Sequence, residues 1–99
     1  MEEDVYNADW LKEGKRFVRN VSGIETVIYL ADNGNGLNFY INDKLVDIVW
    51  WCYRQTDSLY YANEEMTLNV YYDEENDLLR IESDDVFEGY SGLYRQQRA

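Results

Sequence analysis

From residue 15 onward, apolar side chains recur at every second position, the period of a strand with one buried face. Ile24, Thr26, Ile28 and Leu30 alternate with Glu25, Val27, Tyr29 and Ala31. Beyond the Asp-Asn-Gly-Asn-Gly stretch at 32–36, Leu37, Phe39 and Ile41 alternate with Asn38, Tyr40 and Asn42. The intervening residues tolerate positive φ, so runs 24–30 and 37–41 are expected to pair as an antiparallel hairpin. Asn42, Asp43 and Lys44 turn the chain into 45–54, where apolar residues occupy both faces apart from Asp47. That pattern predicts a strand covered on both sides, in a central position of the sheet. Residues 55–58 separate it from Leu59, Tyr60 and Tyr61, after which Met66, Leu68 and Val70 share one face. The polar loop 73–77 leads to 78–82, which closes a second hairpin. From Ser83 the tail has two glycines and no clean period.

The N-terminal stretch departs from this period. Asp4 can cap a short helix over 4–14, with Val5, Ala8 and Leu11 on a narrow apolar stripe, Lys12 late and Gly14 at the end. A single turn followed by irregular chain fits nearly as well. The expected fold is mainly β, or α+β with that one short N-terminal helix. It is a single antiparallel sheet meander, either open or curled into a small barrel, and 1–99 form a single domain. There is no proline, so chain reversals fall to Gly, Asn and Asp.

Composition narrows the function classes. Ninety-nine residues, 45% of them hydrophobic and 16% aromatic, support one modest core and argue against intrinsic disorder. There is no histidine, which removes the commonest general base and the commonest metal ligand. Cys52 is the lone cysteine, unable to form an intramolecular disulfide or a thiolate zinc cluster, and its apolar run 48–53 predicts a buried, inert thiol. That run of six is far short of the ~20 residues that span a bilayer. The start Met1-Glu2-Glu3-Asp4 is acidic where a signal peptide would be basic, so a cytoplasmic, reducing location is expected.

Charge changes the picture most. Twenty acids against nine bases give −11, a balance that disfavours direct binding to nucleic acid or an anionic membrane. Residues 55–94 hold eleven of the acids and one base, Arg80. Alternate strand residues point the same way about 6.6–6.8 Å apart. An extended Asp73, Glu75 and Asp77, or Glu82 and Asp84, would therefore present carboxylates near two steps of a nucleic-acid backbone, about 3.4 Å each. Taken as a solvated turn, 73–77 would carry no such meaning. Tyrosine is the other bias, with six of ten in the same span. Alternation sends one ring of Tyr60-Tyr61 and one of Tyr71-Tyr72 to each face, and of the adjacent Trp50 and Trp51 one is core and the other a candidate contact.

No catalytic constellation emerges, so an enzyme is not expected. A glycosidase carboxylate pair has little room for a cleft, the serines lack a histidine, and the glycines of 32–36 lack a phosphate loop's lysine. Asp73, Glu75, Asn76 and Asp77 supply oxygen ligands, but their spacing does not match a calcium-binding EF-hand loop. No metal or other cofactor is expected. The expected function is an acidic inhibitor or interaction protein occupying a basic, nucleic-acid-binding surface on a partner protein. That is the logic of DNA-mimic inhibitors such as phage proteins that block restriction or CRISPR nucleases, which the chain resembles in size, charge and expected compartment only. The partner-binding residues would be Asp73, Glu74, Glu75, Asp77, Glu82, Asp84, Asp85 and Glu88 with Tyr71 and Tyr72. Two alternatives stand beside it. One is an immunity protein or assembly subunit that grips its partner through a Tyr/Trp patch. The other is a ligand or carbohydrate binder that uses Trp10, Trp50 or Trp51 as a stacking platform.

Overall fold

The computed structural model describes residues 15–31, 35–73, 75–83 and 90–97. They form eight strands: β1 (Arg16–Val21), β2 (Ile24–Ala31), β3 (Gly36–Ile41), β4 (Lys44–Arg54), β5 (Leu59–Ala62), β6 (Thr67–Asp73), β7 (Leu78–Ser83) and β8 (Gly92–Gln96). Each strand pairs with the next, and β8 returns to β1, so the meander closes into an up-and-down antiparallel barrel. The mainly β, small-barrel expectation holds. The helix expected over 4–14 lies outside the described residues, as do Trp10 and 32–34 of the first expected turn.

Local chemistry sets the reversals. Ser22 and Gly23 link β1 to β2, and Asn42 and Asp43 link β3 to β4, all four with positive φ. Both are two-residue hairpin loops of the kind whose twist suits antiparallel strands. The amide of Asn42 donates to the Glu25 carbonyl at 3.0 Å, and its side-chain oxygen accepts from the Glu25 amide at 3.2 Å. Between β5 and β6, the Asn63 side-chain oxygen accepts from the amides of Glu65 at 2.7 Å and Met66 at 2.9 Å. Between β6 and β7, Asp73 accepts from the backbone and side-chain amides of Asn76, and Asp77 adopts φ 53°. These short polar side chains replace missing backbone partners in the turns.

The strand period of two then sorts the faces. Phe17, Ile28, Leu30, Leu37, Phe39, Val49, Tyr61, Leu68, Leu79 and Tyr94 point inward and are fully buried. The expected pairing of 24–30 with 37–41 is present, with Ile28 opposite Phe39 and Leu30 opposite Leu37. Eight strands enclose a lumen just wide enough for side chains to fill. Here Tyr90 enters one end, its ring 4.5 Å from Phe39, with its hydroxyl donating to the inward carboxylate of Asp47. Tyr94 adds a hydroxyl bond to the Tyr90 carbonyl at 2.8 Å. Among the described residues no helix is long and apolar enough to cross a membrane.

Strand β4 corrects the sequence reading. A closed barrel has no central strand covered on both sides, and of 45–54 only Val49 is buried. Its unbroken apolar run has a different cause. The register slips between Phe39 and Tyr40, leaving Val46 as an extra residue, and again between Trp51 and Tyr53, leaving Cys52 as another. Each bulge shifts the alternation by one position, so apolar residues fall on both faces. Cys52, expected to be buried, is exposed at the second bulge. The tail after Ser83 also holds a strand that its pattern hides, because β8 places only Tyr94 in the core.

Candidate functional site

The outer face of β4 to β7 carries surface aromatic residues that packing of the core does not explain. Trp50 is 46% exposed and Tyr53 50% exposed on β4. The Trp50 ring lies over Gly36 of the neighbouring strand so closely that a Cβ there would sit 3.1 Å from the indole. The six-membered ring of the indole thus rests against the barrel at Gly36 while nearly half of the residue stays open to solvent. Tyr53 pairs with Tyr60 of β5 across the bulge, and their rings stack at 4.8 Å and 20°. Aromatic side chains held flat on neighbouring strands form a rigid apolar platform.

The register extends this platform sideways. Tyr60 lies opposite Asn69 of β6, and Asn69 lies opposite Glu82 of β7. At about 4.8 Å per strand, Tyr53 and Glu82 are separated by roughly 14 Å along this row. Next to it, Tyr71 lies opposite Arg80, whose guanidinium sits 3.9 Å from the ring centroid. Arg80 also forms an ion pair with Glu82, and the Tyr71 hydroxyl donates to the other Glu82 oxygen at 3.3 Å. A shallow groove of about 260 Å³ runs along Tyr71, Asp73, Leu78, Arg80 and Leu93. Aromatic residues and arginine beside a polar margin are what protein interfaces enrich.

The acidic residues proposed from sequence divide into three groups. Glu82 stands on the outer face, paired with Arg80. Asp73 ends β6 while Glu75 and Asp77 lie in the turn to β7, so they do not form the extended row considered from sequence, because the chain reverses between them. Glu74, Asp84, Asp85 and Glu88 lie outside the described residues. Among the tyrosines, Tyr71 faces out, whereas Tyr72 turns inward, edge-on to Phe17 at 6.2 Å, with its hydroxyl donating to Asp77 at 3.2 Å. The described residues together carry ten acids and seven bases. Trp51 packs partly buried against the core while Trp50 stays outside, as alternation requires.

Sequence reasoning sent one ring of Tyr60-Tyr61 outward but missed Tyr53 as a surface residue. The signal was the apolar run 45–54 itself, taken as two-sided cover when its outer side is open. Chemically the face offers ring surfaces, one hydroxyl–carboxylate–guanidinium cluster and an exposed thiol. Among the described residues no three His, Cys, Asp or Glu side chains converge as a metal site. The fold and this face together define a small antiparallel barrel with a side-chain-filled interior and an aromatic outer surface. Comparisons with known protein families, characterised proteins and solved structures found no match.

Proposed function

We propose that the protein is a non-enzymatic interaction module that occupies a basic surface, of the nucleic-acid-binding kind, on a partner protein. It docks through the outer face of β4 to β7. The observation that carries this reading is the exposure of Trp50 and Tyr53, with the stacked Tyr60, on the outside of a barrel whose inside is already packed. Burying such rings against a partner supplies the apolar core of an interface. The net charge of −11 selects a basic partner and speeds encounter, since long-range fields act mainly on association. In this form the aromatic grip holds the complex and the acids steer it. A backbone-like carboxylate row is not needed, and the turn at 73–77 offers none.

The test is kinetic. A partner captured from lysate is immobilised, and association and dissociation are measured at low and physiological salt. Trp50→Ala with Tyr60→Ala should raise the dissociation rate by at least a hundredfold, since paired aromatic anchors are worth about 2 kcal/mol or more each. Glu75→Lys with Asp77→Lys should slow association and flatten its salt dependence while leaving dissociation nearly unchanged. If the aromatic variant binds like the parent and charge reversal alone abolishes binding, electrostatic mimicry of nucleic acid replaces this mechanism.

A further inference from the structure

The outer face of β1 to β3 holds a cavity of about 320 Å³. It is distinct from the aromatic platform, since β2 stands opposite β6 in the eight-strand ring. Strand alternation builds it. Thr26, Ile28 and Leu30 turn into the core, so Glu25, Val27 and Tyr29 of β2 face out. Val27 lies opposite Tyr40 of β3, and Tyr29 lies opposite Arg16 of β1. Tyr29 and Tyr40 are thus diagonal neighbours, their backbones about 7–8 Å apart, with the shorter Val27 side chain between their rings as a floor. Asp43 and Gln97 complete the lining.

The charges of this cavity are sorted by sign. At one end the two-residue loop between β3 and β4 is pinned to Glu25, whose carbonyl and amide both bond Asn42, at 3.0 and 3.2 Å. That clamp brings the carboxylates of Asp43 and Glu25 to the same end. At the other end the Arg16 guanidinium lies over the Tyr29 ring, 5.1 Å from its centroid. The Gln97 amide donates to the Arg16 carbonyl at 2.7 Å, which sets Gln97 at that end too. Stacking engages the flat face of a guanidinium, and its N–H donors lie in the plane, so Arg16 keeps an edge that can take a carboxylate. The cavity is bipolar, with tyrosine rings and Val27 between its two ends.

We propose that this cavity binds the C-terminal arginine of a peptide chain. The incoming guanidinium meets Glu25 and Asp43 and packs against Tyr40, its methylenes lie on Val27, and its terminal carboxylate pairs with Arg16 fork to fork. The length is suitable. Glu25 and Tyr29 stand about 13 Å apart along β2, and an ion pair takes about 3 Å at each end, so roughly 7 Å remains, the reach of one extended arginine from carboxylate to guanidinium. Tyr29 already accepts a guanidinium in this way from Arg16, and a planar guanidinium suits ring faces better than a compact ammonium. An internal arginine has no carboxylate for Arg16. An acidic terminus meets two like charges and is rejected. None of this depends on the docking face of β4 to β7.

The experiment titrates the full chain with acetyl-alanyl-arginine and follows amide resonances by NMR. The controls are the same dipeptide as its C-terminal amide, the same dipeptide with citrulline, a neutral isostere, in place of arginine, and free arginine. Shifts concentrated at 25–29 and 40–43, with affinity at least tenfold lower for the amide and for the citrulline form, are the expected result. Glu25→Gln with Asp43→Asn should remove the discrimination against citrulline, whereas Arg16→Gln should remove only the discrimination against the amide. No shift, shifts elsewhere, or selectivity unchanged in both variants overturns the proposal. Free arginine, which brings an α-ammonium beside Arg16, should bind more weakly. Tighter binding of the free amino acid would assign the cavity to a metabolite and overturn the peptide assignment. Trp50→Ala must leave binding intact, which separates failure here from failure of the aromatic face.

Discussion

Tyr94 links the core of the barrel to alkaline pH. Its ring is fully buried, its hydroxyl donates to the Tyr90 carbonyl, and Arg19 lies beside it. Burial pushes the phenol up from 10.0 to about 12, although the charge of Arg19 and its hydrogen bond pull part of the way back. A raised acid of this kind releases its proton more easily in the unfolded chain. Its stabilising contribution is therefore complete below pH 10 and is lost as pH rises from 10 through about 12. Two units at about 1.36 kcal/mol each make that loss about 2–3 kcal/mol. For a domain of this size, such a loss lowers the thermal midpoint by about 10–20 °C. The assay is urea denaturation of the parent and Tyr94→Phe at intervals from pH 9 to 12. At neutral pH the variant should be less stable by about 2–3 kcal/mol, having lost the bond to the Tyr90 carbonyl and the one with Arg19. It should then decline less steeply above pH 10, so that the two curves converge. Every other tyrosine and lysine is shared by both proteins, so the difference reports Tyr94. Parallel curves across this range would refute the reasoning.

Three further outcomes are expected. Phe39→Ala, which empties a fully buried site packed against Tyr90, should cost about 3–5 kcal/mol in urea denaturation. Asn69→Val should raise stability by about 1 kcal/mol, because the Asn69 side-chain oxygen is buried without a hydrogen-bond partner; a lower midpoint would show that the oxygen is satisfied. Raising ionic strength from 0.01 to 0.15 M shortens the Debye length from about 30 to about 8 Å. With −11 on a small chain, the thermal midpoint should rise, and an unchanged midpoint in calorimetry would mean that the acids are locally compensated.

The alternating pattern was enough to name the inward residues of β2, β3 and β6, because Ile28, Leu30, Leu37, Phe39, Leu68 and Val70 are sorted by a local rule. The same rule separated Trp50 from Trp51, Tyr60 from Tyr61 and Tyr71 from Tyr72. It failed at β4, where two bulges reset the phase and left an apolar run that looks two-sided. A bulge depends on what the partner strand needs, and no local period records it. Closure lay beyond the sequence for a related reason. The strands β1 and β8 stand at opposite ends of the described chain, and their pairing serves the ring as a whole more than either segment. Whether the meander stays open or curls depends on accumulated twist and on how many side chains fill the lumen, both properties of all eight strands together. Charge followed the same division. The sequence alone settled that the chain is acidic. Only the fold decided that Asp73 and Asp77 flank a chain reversal and that Glu82 is paired.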